Sequence, residues 1–223
     1  EAMIIIHDTE PAAYPWQVVE TSWSGKQIDL KRPDLGASRI KLEGWITYDI
    51  AKELFNNSGL DLEEQKLNAL NRDFKPIAME GLKLNAQLRN KLSFSTSHNV
   101  AAVKEGTLRP DEYVLFMAHW DHLGTREGHS PSNDQIYNGA VDNATGVAGI
   151  LELANYFGTR DTDRSLLFLA VTAEESGLLG SEYFGEYPPL ELANIVAGYN
   201  FDGVLPVGKT NDVIVVGYGA SEL

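Results

Sequence analysis

The stretch that decides the fold is YVLFMAHWDH at 113–122, six apolar or weakly polar residues running straight into His-Trp-Asp-His. An apolar run of that length, closed by polar residues, reads as a strand. Two later runs end alike. Residues 166–171 (LLFLAV) lead to Glu174 and Glu175, and residues 195–200 (IVAGYN) lead to Asp202. Between them, Val147, Ile150, Leu151, Ala154 and Phe157 recur at helical spacing over 145–157, with Asn143 or Thr145 placed to cap the start. A further strand over 97–103, a helix over 177–184 and a strand over 213–217 complete the pattern. Strands alternating with helices predict an α/β architecture, a mixed, mainly parallel sheet flanked by helices, from about residue 85 onward.

Outward from this core the pattern changes. Residues 1–84 show short strand-like runs at 3–6, 17–19 and 40–48 and turn signals at Tyr14-Pro15, Ser24-Gly25 and Arg32-Pro33. Helical periodicity covers 49–56, and 62–70 forms a second candidate helix. This predicts a small β-rich module in front of the α/β region. The chain begins at Glu1 and stops just after a strand-like run, so it reads as a piece of a longer protein.

Composition narrows the function. Hydrophobic residues make up 43% and charged residues 22%, the balance of a globular chain. The longest apolar runs fall far short of the ~20 residues that cross a bilayer. A formal charge of −14 repels phosphate backbones and disfavours nucleic-acid partners. With zero cysteines, any metal must be held by histidine and carboxylate. The turn 177–180 lacks the GK[ST] ending of a phosphate loop, which argues against nucleotide binding.

In an open parallel sheet, residues beyond the carboxyl ends of the strands meet in one crevice. His119, Glu174, Glu175 and Asp202 all stand at such positions. Asp142 joins them from the loop 137–146, where Gly139 and Gly146 permit tight turns. Four carboxylates in one pocket would raise each other's pKa unless divalent cations offset the repulsion. One histidine with carboxylates suits Zn²⁺, Mn²⁺ or Co²⁺, with zinc the default. A carboxylate bridging two such ions is a known device for activating water.

Four strings, AHWDHLG at 118–124, NGAVDNATG at 138–146, TAEESGLLGS at 172–181 and NFDG at 200–203, occur in an order and strand pattern that resembles the M28 family of co-catalytic zinc aminopeptidases. The string HDTEPAAYPW at 7–16 is similar to part of a protease-associated domain. The resemblance implies a zinc-exopeptidase-like fold, with residues 1–84 a partial protease-associated module and 85–223 the N-terminal portion of the peptidase domain.

It also implies roles. His119 and Asp202 would bind one zinc, Asp142 would bridge, and Glu175 would bind a second zinc. Glu174 would be the general base, and Asp121 would complete the catalytic set by holding the His119 imidazole. The family pattern takes a second histidine for the second zinc from further along the chain, and none follows His129. His122 is assigned no metal and is expected to make a structural hydrogen bond. His7, His98 and His129 are expected at the surface or in turns; Asp134, Asp161, Asp163, Glu63 and Glu64 read as solvated charges. Trp120 and Tyr137 flank the expected pocket.

The activity implied is hydrolysis of peptide substrates from the N-terminus, in a periplasmic or secreted setting. The alternatives are carboxypeptidase action, glutaminyl-cyclase-like acyl chemistry on the same scaffold, or a catalytically silent, receptor-like interaction module.

Overall fold

A computed structural model describes residues 2–22, 25–125, 134–204, 208, 209 and 211. The chain divides into two compact units, Glu1–Phe94 and Ser95–Leu223. Residues 82–99 contain neither helix nor strand, so no element marks where one unit gives way to the other.

In the first unit, β1 (Ala2–His7) pairs in parallel with β2 (Leu42–Thr47), His7 standing opposite Thr47. Between them lie α1 (Thr9–Ala12) and α2 (Trp16–Ser22). Thr47 ends β2 and caps α3 (Tyr48–Asn57), accepting from the Ile50 amide. Asp61 caps α4 (Leu62–Asn68) by accepting from the Glu64 amide at 2.9 Å. Among the described residues of this unit, Ala51, Leu62 and Val19 are the buried apolar ones.

The run at 17–19 therefore lies in a helix and not in a strand. Pro15 just before Trp16 favours a helix start, and three apolar residues are too few for periodicity to separate helix from strand. With 17–19 helical, the described part of the unit has two strands and four helices. His7 is also not a surface residue. Only 3% of it is exposed, with the rings of Tyr14 and Trp16 at 5.2 and 5.8 Å. Glu63 is exposed but not simply solvated: it accepts from Tyr48 Oη at 2.6 Å and from Lys66 Nζ at 3.2 Å.

The second unit is a mixed α/β structure. Its elements are β3 (Val100–Lys104), β4 (Arg109–His119), the two-residue strands β5 (Gly124–Thr125) and β6 (Ile136–Tyr137), α5 (Ala144–Gly158), β7 (Arg164–Val171), α6 (Leu179–Glu186) and β8 (Ile195–Asn200). The main sheet has the order β3-β7-β4-β8. β7, β4 and β8 are parallel, and only β3 is antiparallel. The strand expected at 213–217 lies outside the described residues.

β7 explains the sheet. Leu166 and Phe168 face Ala118 and Ile150, with Val147, Ala154 and Phe157 of α5 behind them. Leu167, Leu169 and Val171 point the other way, onto Phe184 of α6. The strand is thus covered on both faces, and its apolar residues need not alternate with polar ones. Leu167 is 1% exposed. Leu167→Ala is expected to cost about 2–5 kcal/mol, read as a lower urea midpoint with an unchanged slope.

Candidate metal centre

Because β4, β7 and β8 are parallel, their carboxyl ends share one edge. His119 stands opposite Val171, and Met117 opposite Asn200. His119 is the last residue of β4 and is 2% exposed. Beyond β7, Ala173 takes the left-handed conformation at φ 54°, breaking the strand alternation that would send Glu174 and Glu175 to opposite faces. Asn99 fixes this turn: its carbonyl accepts from the Thr172 amide at 3.1 Å, and its Nδ2 donates to the Gly180 carbonyl at 2.7 Å. Gly180 is required there, since a Cβ would lie 2.2 Å from the Thr172 carbonyl oxygen.

Asp142 and Asp202 are tied together through their neighbours. Asn143, 2% exposed, caps α5 by accepting from the Gly146 amide at 3.1 Å. The same Oδ1 accepts from the Gly203 amide at 3.2 Å, and Nδ2 donates to the Phe201 carbonyl at 2.8 Å. One buried amide thereby fastens the residue after Asp142 to the residues flanking Asp202. Its capping role was legible in the sequence, but this link between two ligand-bearing segments was not.

Two groups of donor atoms result. His119 Nε2 lies 2.9 Å from Asp142 Oδ1 and 3.4 Å from Asp202 Oδ1. His122, Asp142 and Glu175 form a second group, each group having its donor atoms within 4.8 Å of one another. Asp142 belongs to both. Of the residues expected to hold metal, His119, Glu175 and Asp202 from the strand ends and Asp142 from the loop before α5 fall in these groups, and His122 enters the second one beside them.

The His119 ring defines what the pocket wants. Its Nδ1 lies 3.1 Å from the main-chain carbonyl of Asp121, which can only accept, so Nδ1 carries the proton. Nε2 is buried with no hydrogen-bond partner among the described residues, although two carboxylate oxygens stand near it. A bare lone pair facing two carboxylates is repulsive, and a proton or a metal ion at Nε2 relieves it; imidazole with carboxylates is a donor set that fits a divalent metal.

Burial acts to lower the His119 pKa, but the Asp121 carbonyl and the carboxylates of Glu174, Asp202 and Asp142 outweigh it and hold it above its ordinary value. Burial pushes the Glu174 carboxyl up, and Glu175, Asp202 and Asp142 push it further, against the opposing pull of His119.

Asp121 differs from expectation in how it acts. Its carboxylate is 3.8 Å from His119 Nδ1, and the imidazole is held by the main chain instead. The carboxylate accepts from the Glu174 amide at 3.3 Å, so it braces the turn bearing the two glutamates. Any residue at 121 has a carbonyl, which is why side-chain reasoning missed this contact. Trp120, half exposed, donates from Nε1 to the carbonyl of His98, itself an exposed residue. Tyr137 stands edge-on to His122 at 6.3 Å. Asp134 accepts from the Ile136 amide in a turn, and Asp163 pairs with Arg109 at 3.6 Å. His129 lies outside the described residues.

A histidine and acidic side chains beyond parallel strand ends, with the loop carboxylate of Asp142 common to two donor groups, form an imidazole and carboxylate cluster that could hold a metal on an α/β sheet. The profile of peptidase family M28 matches residues 99–223, more than half of the chain. The chain belongs to peptidase family M28. It is 33% identical over 112 residues to aminopeptidase NAALADL1 of Mus musculus, a match covering 48% of this chain and 13% of that protein. It is 31% identical over 111 residues to aminopeptidase YwaD of Bacillus subtilis, covering 49% and 22% respectively. Among solved structures, a zinc aminopeptidase from Bacillus subtilis is 30% identical, with a TM-score of 0.39 over 48% of this chain and 24% of that one. The chain spans 13% to 22% of the length of the two curated relatives named. Among the described residues no helix is long and apolar enough to cross a membrane.

Proposed function

We propose that the intact protein is a zinc-dependent aminopeptidase in which His119 and Asp202 hold one ion, Glu175 holds a second and Asp142 is shared by both. The observation that carries this reading is the membership of Asp142 in both donor groups. Zinc bound there supplies positive charge that acidifies water and polarises a peptide carbonyl. Glu174, kept out of both groups, accepts the proton from the attacking water and passes it to the departing amine. Its raised pKa, caused first by burial, suits a carboxyl that must both take and give a proton. Asp121 braces Glu174 through the amide contact. The excess of carboxylates also favours the ammonium end of a peptide over a carboxylate end.

Peptides are the substrates in this reading. Residues 1–84 are taken as part of a protease-associated module on the string at 7–16, and residues 85–223 as the first portion of the peptidase domain. A periplasmic or secreted location rests on the family resemblance alone. The test is hydrolysis by the intact protein of peptides blocked at one end or the other. Release of the first residue from C-terminally blocked peptides, abolished by a chelator and restored by Zn²⁺, is the expected result. Hydrolysis of N-terminally blocked peptides alone would move the assignment to a carboxypeptidase. Cyclisation of an N-terminal glutamine without hydrolysis would move it to cyclase chemistry, and a folded protein that takes up no zinc would leave an interaction module.

A further inference from the structure

We propose that His122 is a positioning residue that holds Glu175 in place for the second cation by a hydrogen bond, without itself becoming a ligand. The inference rests on the two-ion reading above and adds a residue to it. His122 Nδ1 lies 2.6 Å from Glu175 Oε1. An ionised carboxylate only accepts, so Nδ1 carries the proton and donates. A charge-assisted bond of that length occupies one oxygen of Glu175 and fixes the rotation of the carboxyl group, leaving Oε2 for a cation shared with Asp142.

The loop that bears Asp142 also packs against the His122 side chain. Tyr137 meets it edge-on, with the ring planes at 77°. Gly139, at φ 62°, brings its backbone so close that a Cβ would lie 3.0 Å from His122 Cβ and 3.2 Å from Cγ. His122 is therefore wedged between the loop carrying one carboxylate of the second donor group and the turn carrying the other. It sets their separation.

The experiment is a zinc titration of the intact protein against a competing chelator, with wild type, His122→Leu and His122→Asn. The visible absorption of Co²⁺ serves as a second readout. In wild type two ions bind. His122→Leu is expected to weaken the second ion by about 10–100-fold, the usual loss when an outer partner of a ligand is removed, while the first binds as before. His122→Asn, whose Nδ2–H can stand near the position of Nδ1, is expected to recover most of that loss. A merely structural role would weaken both ions together and lower the stability of the metal-free protein.

Undiminished second-ion binding in His122→Leu overturns the proposal. So does a His122→Asn protein as weak as His122→Leu, which would mean that the imidazole itself is a ligand. If the Leu variant does not fold, His122→Ala against His122→Asn makes the same comparison. A wild-type protein that takes up fewer than two ions fails the underlying two-ion reading, and this is seen before any variant is measured.

Discussion

Glu174→Gln is expected to lower kcat of the intact protein by about 10²–10⁴-fold, the range general acid-base catalysis contributes, while bound zinc stays at the wild-type amount. The substitution keeps the size of the side chain and its main-chain anchor, since the Glu174 amide rather than its carboxyl donates to Asp121. What it removes is a group that can take a proton from water and release it to an amine. Glu174 stands outside both donor groups, so metal retention is part of the prediction. Steady-state kinetics beside metal analysis of the same sample checks it. A variant with full zinc and undiminished kcat would remove Glu174 from the chemistry.

Asp142→Ala carries the second large effect. Because its carboxylate is common to both donor groups, its loss should loosen both ions, each by more than the 10–100-fold typical of losing an outer partner. Asp202→Ala is the control, since Asp202 belongs only to the group with His119. The expected pattern in a zinc titration is two weakened ions for Asp142→Ala and one for Asp202→Ala. Equal, single-ion losses in the two variants would show that Asp142 does not bridge.

The main sheet was legible because its parallel strands read as unbroken apolar runs, although only β7 is covered on both faces and β8 leaves Val196 and Tyr199 exposed. β4, β7 and β8 carry such runs, and α5 repeats its apolar residues at helical spacing. The run at 17–19 misled because three residues cannot distinguish the two periods, and the preceding proline tipped it to helix. His7 misled because its burial comes from Tyr14 and Trp16 folding back over it, which no local pattern records.

Within the site, residues placed by topology were visible in advance. His119, Glu174, Glu175 and Asp202 follow from where parallel strands end. Contacts that depend on main-chain geometry were not: the Asp121 carbonyl on His119, the left-handed Ala173, and the approach of Gly139 to His122 are features of the backbone path. Asn143 falls between the two, its cap foreseeable from sequence and its bonds to Phe201 and Gly203 only from the fold.

Acidic groups from separate strand ends and from the loop before α5 are proposed to gather around divalent cations. The most direct measurement is anomalous diffraction at the zinc edge from crystals of the intact protein grown with zinc. One peak is expected about 2.0–2.2 Å from His119 Nε2 and from oxygens of Asp142 and Asp202, and a second within the same range of Asp142 and Glu175. Zinc peaks elsewhere on the molecule, with none between these side chains, would contradict it.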